Sequence, residues 1–223
     1  MATHDRVISA GQERAVATNK VIRNTYTLLS MTLAFSAVMA GVSMVSGAAP
    51  LPWFVVLGGY FGLLFLTSSL RNSAWGIAAV FALTGFMGYT LGPLLSFYMA
   101  TFSNGSQLVM IAFGGTAAIF LGLSGYALTT RKDFSFMGGF IFAGILVAFL
   151  AGLGAMIFSL PGLALGVSSM FILLMAGFIL YQTSEMVHGG ETNYIMATVG
   201  LYVSIYNIFT SLLHLLGFFG GND

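Results

Sequence analysis

The chain has 223 residues, of which 58% are hydrophobic and 6% charged, and its mean hydropathy is +0.96. A soluble domain carries about a quarter charged residues, so this one cannot cover a water-facing surface and reads as an integral membrane protein. The net charge of +1 says little about partners, although nucleic acid is not expected among them, and the absence of cysteine excludes disulfides and thiolate metal sites.

Charges are segregated. None falls within 24–70, 72–130, 134–184 or 192–222. Because roughly 20 apolar residues cross a bilayer, most of these runs must hold more than one span. Residues 1–23 form a polar stretch with Arg6, Arg14, Lys20 and Arg23, too poor in apolar surface to fold alone. We read it as a mobile cytoplasmic tail, separate from a membrane domain over 24–223. The apolar run behind it is full length, which suits an uncleaved first span better than a secretory leader.

Seven spans follow in order. The first covers about 24–46 and ends at Gly47-Ala48-Ala49-Pro50. The second covers 51–69, with Gly58 and Gly62 four residues apart. The third covers 74–100, where Gly92-Pro93 predicts a kink or break because proline lacks the backbone N–H. The fourth covers 108–129 and leads to the charged turn Arg131-Lys132-Asp133. The fifth covers 136–158, the sixth runs from Pro161 to about Ser184, and the seventh covers 193–218.

With the N-terminus cytoplasmic, Arg71 falls in the second connection and Arg131 and Lys132 in the fourth. The other four basic residues lie in the tail. All seven Lys and Arg are then on one side, which fixes an N-in, C-out orientation by the positive-inside rule. There are 29 glycines. The pairs Gly88/Gly92 and Gly162/Gly166 have the spacing of close-packed membrane helices.

The last span carries a polar stripe. On a helical wheel Asn193, Ala197, Gly200, Ser204, Asn207, Ser211 and His214 share an arc of roughly 100°. Ile195, Tyr202, Tyr206, Phe209 and Leu213 lie opposite. Such a stripe must turn from lipid toward other helices or toward a hydrated cavity. Two readings of Ser204 and Asn207 stay open: interhelical hydrogen bonds, or the lining of a leak path with Ser211 and His214. His214 is the one ionisable group inside a span, near its outer end, where an interfacial histidine is the bland alternative to proton handling. Glu185, His188 and Glu191 give the cytoplasmic mouth an acidic character, either as a solvated loop or as a cation attractor. No metal-ligand spacing, nucleophile–base set or phosphate loop occurs. No enzyme activity, metal or cofactor is expected.

Certain runs resemble the Bax inhibitor-1 (TMBIM) family. They are Leu201-Tyr202-Val203-Ser204-Ile205-Tyr206-Asn207 after His188-Gly189-Gly190-Glu191, Arg23-Asn24-Thr25-Tyr26, and Leu128-Thr129-Thr130-Arg131-Lys132-Asp133. The resemblance covers about Arg23 to Phe218 and is strongest to the family's bacterial branch. It implies an all-α bundle of seven transmembrane helices with the seventh central, in the bacterial inner membrane. It also implies two activities: restraint of a membrane-anchored AAA+ protease of the FtsH type, and a pH-sensitive leak of calcium (Ca2+) or protons (H+). The family's leak uses a pair of carboxylates. By its pattern they fall at Gln182, after Tyr181, and at Ser204, and neither residue titrates. The expected function is therefore non-enzymatic protease modulation, with the tail as the partner-binding segment and the leak as the alternative.

Overall fold

The structure is a computed structural model that describes the backbone of residues 2–220 and the side chains of residues 16–220. Its elements are α1 (Ala2–Val45), α2 (Trp53–Leu70), α3 (Trp75–Thr101), α4 (Gly105–Thr130), a 3-10 turn (Ser135–Met137), α5 (Gly138–Ile157), α6 (Pro161–His188) and α7 (Tyr194–Gly220). Seven of these helical stretches are long and apolar enough to cross a membrane. Helix is the economical answer for such sequences, because lipid offers no partner to a free backbone N–H or C=O.

Several boundaries differ from those read in the sequence. Helix α1 continues unbroken through position 23, so the polar stretch and the first span share one rod. At 44 residues and 1.5 Å per residue it is about 66 Å long, twice the hydrocarbon thickness. Helix α3 is unbroken through Pro93. Packing against α1 holds this turn: a β-carbon on Gly92 would run into the Ser43 side chain, so the two helices are in close contact there. Helix α6 runs one turn past Ser184 to His188, and Gly189, at φ 79°, closes it by donating to Glu185 O. The polar turn between the last two spans is thus confined to residues 189–193.

Helix α7 packs directly against α1, α3, α4 and α6, whereas α2 leans on α3 and α5 on α6. The centre of the bundle is therefore α7, with Leu201, Ile208 and Leu213 fully buried. Both faces of its wheel are inside, since Ile195, Tyr202 and Leu213 are as buried as Ala197 and Ser204. The closest seam is α1 on α3. At Gly88 an added β-carbon would strike the Ser36 carbonyl, and at Gly85 it would lie 2.6 Å from the Phe35 ring. Gly58, Gly62, Gly162 and Gly166 have nothing within 4 Å of that position. Of the spaced glycine pairs, only Gly88/Gly92 marks a helix–helix contact; the other two pairs lie on open helix faces.

Candidate functional site

Tyr202 ties three helices together at the centre. Its hydroxyl lies 2.6 Å from Ser36 Oγ on α1 and donates to Thr84 O on α3 at 3.2 Å. A buried hydroxyl must find partners or forfeit its hydration, and here both come from neighbouring helices.

On the other side of α7 a cavity of about 690 Å3 opens among α2, α3, α5, α6 and α7. Gln182, Ser204 and Asn207 form its polar wall. Ser204 is fully buried and donates to Gly200 O at 2.9 Å, while Asn207 Nδ2 donates to Val203 O at 2.8 Å. Gln182 is 7% exposed, reaches the cavity, and makes no side-chain hydrogen bond to another described residue. Its Oε1 lies 3.3 Å from where a β-carbon on Gly200 would stand. Gly200 thus brings Gln182 and Ser204 together: Gln182 rests against it and Ser204 bonds its carbonyl. Most of the remaining lining is apolar, including Phe61, Phe86, Phe142 and Phe149.

Of the five residues proposed for a leak path, three line this cavity and two do not. Ser211 is buried away from it, and His214 is exposed near the far end of α7 with Nδ1 2.7 Å from Ser168 Oγ. The wheel missed Tyr206 and Thr90. Tyr206 was placed on the opposite face, yet it lines the cavity with its hydroxyl 3.2 Å from Thr90 Oγ1. A tyrosine reaches far enough to escape the wheel direction of its own α-carbon. No signal in the sequence marks Thr90.

A second hollow, of about 680 Å3, lies between the membrane-proximal part of α1 and the α6–α7 connection. Lys20, Asn24, His188 and Thr192 line it, and Glu191 lines both this hollow and the cavity. Glu185 and His188 belong to the last turn of α6 rather than to a loop. The His188 Nδ1–H donates to Ser184 O at 2.9 Å, and Glu191 Oε1 accepts from Asn193 N at 2.7 Å. Lys20 and Arg23 are exposed, while the side chains of Arg6 and Arg14 lie outside the described residues.

Two polar residues pin the basic turns to this region. Ser184 Oγ accepts from Phe134 N at 2.9 Å and donates to Lys132 O at 3.2 Å. Asn193 caps α7, with Oδ1 accepting from Ile195 N and Met196 N, and its Nδ2 donates to Arg71 O at 3.0 Å. In the exposed turn between α4 and α5, the Ser135 backbone N–H, with help from its hydroxyl, holds the Asp133 carboxyl below the usual range. Among the described residues no group of three His, Asp or Glu could hold a metal ion.

A central helix enclosed by its neighbours, with a largely apolar cavity on one flank, defines a multi-pass membrane protein. The chain belongs to the Bax inhibitor-1 family: residues 18–221 match the family described as Inhibitor of apoptosis-promoting Bax1. It is 49% identical to the modulator of FtsH protease YccA of Escherichia coli K12, covering 96% of this chain and 98% of that one. It is also 55% identical to an uncharacterised protein of Pseudomonas aeruginosa over 91% of each chain. An uncharacterised membrane protein of Vibrio cholerae is 45% identical over 95% of each. A second E. coli relative, equally similar, is named an inner membrane protein, and seven apolar helices place this chain in the same kind of membrane.

Proposed function

We propose that the protein binds a membrane-anchored AAA+ protease of the FtsH type and restrains its action on membrane proteins, without catalysing a reaction itself. The observation that carries this reading is end-to-end similarity to a protein named as the modulator of that protease. Two features of the chain suit it. On the basic, cytoplasmic side, α1 continues well beyond the membrane and offers a handle that such a protease can engage. Behind it, the α1–α3 seam and the Tyr202 knot join that handle to the most closely packed part of the bundle, which resists extraction.

Co-purification with the protease, and turnover of a membrane substrate, compared for the full chain and for a chain lacking residues 2–20, test the reading. Loss of binding and of restraint in the shortened chain is expected. Unchanged binding and unchanged substrate turnover would remove the helical extension from the interaction.

A second reading, a calcium or proton leak, is favoured by one observation: Glu191 faces both the cytoplasmic hollow and the cavity that Gln182, Ser204 and Asn207 line. It ranks below the first because neither Gln182 nor Ser204 can carry charge. Reconstitution into dye-loaded liposomes decides it, and flux no greater than that of empty vesicles at acid and neutral pH ends it.

A further inference from the structure

The flank between α2 and α5 is built unlike the rest of the bundle. Helix α2 is held by α3 and α5 by α6, and across the gap the rings of Phe61 and Phe149 meet edge-on with centroids 6.0 Å apart. Several residues on the cavity wall are at the same time exposed on the outside, namely Phe61 at 48%, Leu146 at 50% and Phe142 at 73%. A residue that lines a cavity and also faces outward stands at its rim. The cavity therefore opens sideways, toward the bilayer.

We propose that this cavity takes one acyl chain of a glycerophospholipid from the cytoplasmic leaflet, entering between α2 and α5, with Gln182 Nε2 donating a hydrogen bond to the ester carbonyl. Four observations support that occupant. The first is size: at ~30 Å3 for a water-sized group, 690 Å3 holds roughly twenty such groups, which is one chain and its linkage. The second is chemistry. The wall is apolar over most of its extent, and it carries one amide, Gln182, that is more than nine-tenths buried and has no described hydrogen-bond partner.

The third is depth. Helix α6 has 28 residues, or ~42 Å, against a hydrocarbon core of ~30 Å, so a helix centred on the bilayer projects about 6 Å at each end. Gln182 lies ~9 Å from the His188 end and so sits just inside the hydrocarbon boundary, close to the level of the glycerol esters. The fourth is the width of the entrance. A partner helix, ~10–12 Å across with its side chains, cannot pass two rings 6.0 Å apart without moving α2 or α5. A chain one methylene wide needs only a ring to turn, a fast motion for an exposed side chain.

The test uses the full chain in lipid nanodiscs doped with a diacyl phospholipid that carries a diazirine in mid-chain. After irradiation, adducts are mapped by mass spectrometry. Adducts are expected on Met87 and Met175, which line the cavity and are about 95% enclosed by protein, as well as on outward residues such as Phe113. Val203→Phe, which intrudes on the cavity without filling it, should lower labelling of Met87 and Met175 toward that of Leu29, buried away from it, and leave Phe113 unchanged. The paired change Phe61→Ala with Phe149→Ala opens the entrance and should raise labelling at Met87. A dialkyl ether lipid lacks the carbonyl, so wild type should prefer the diacyl lipid by roughly threefold to tenfold, and Gln182→Leu should abolish that preference.

Adducts confined to outward residues, or labelling of Met87 indifferent to both changes, would overturn the proposal. So would oxidation of Met87 and Met175 by hydroxyl radicals without lipid adducts, which would assign the cavity to water. Protease binding is measured separately, and neither result bears on the other.

Discussion

Tyr202 on the central helix and Ser36 on the first are joined through their hydroxyls at 2.6 Å, in a site where Tyr202 is 1% exposed. That single contact, extended to Thr84 O, links α7 to both helices of the tightest seam. Tyr202→Phe keeps the ring and removes the link. Ser36 can turn its hydroxyl back to a carbonyl of its own helix, as serines in helices do, so the loss stays at the lower end for a buried hydrogen bond, about 1 kcal/mol. Thermal unfolding in detergent should show a fall of about 2–4 °C. Ser36→Ala should give a similar fall, and the double variant less than the sum.

Glycine at 88 and glycine at 166 should respond oppositely to alanine. At 88 the new methyl meets the Ser36 backbone, and neither side can yield without moving a helix, so a loss of about 1–3 kcal/mol is expected. At 166 it meets nothing within 4 Å, and alanine should be neutral or gain up to about 1 kcal/mol. Equal melting temperatures for the two variants would contradict the packing described.

Asn193 performs two tasks that can be separated by substitution. Asn193→Ala strips the cap from α7 and the tie to Arg71, for a loss of about 1–2 kcal/mol. Asn193→Asp keeps an acceptor for Ile195 N and Met196 N and places a negative charge at the helix N-terminus, where it is favoured. It should recover most of the stability while losing the bond to Arg71 O. Unfolding midpoints of the three proteins check the order wild type, Asp, Ala.

Membrane orientation is testable without background, because the chain has no cysteine. Arg71→Cys and Lys132→Cys should react with an impermeant maleimide only from the cytoplasmic side, and Ala49→Cys, in the α1–α2 connection, only from the other. Labelling of position 71 from outside would reverse the assignment of every connection.

Gln182→Glu with Ser204→Asp introduces two carboxylates around Gly200. If the cavity conducts, liposome flux gains a pH-dependent step that wild type lacks. A flat profile in the double variant argues against conduction through this wall.

The fold was legible in the sequence for a physical reason. Charge-free runs longer than a bilayer is thick allow only spanning helices, and the one-sided placement of Lys and Arg orders them. The positions of Gln182, Ser204 and Asn207 on one wall were also within reach, because α6 and α7 are joined by a short turn and the stripe on α7 is periodic. His214 shares that stripe, but periodicity gives a direction and not a depth. At the far end of α7 that direction leads to an exposed position beside Ser168.

Composition and charge placement by themselves determined that this is a seven-helix membrane protein, and the residue pattern determined its family. Only the tertiary structure decided which glycines are contacts, since Gly88 and Gly166 have the same local spacing and differ only in what faces them. It alone revealed that α2 and α5 stand apart from α7 around a cavity. Hydropathy records how much a segment prefers lipid, and a helix facing lipid and one facing a greasy cavity read alike until their neighbours are in place.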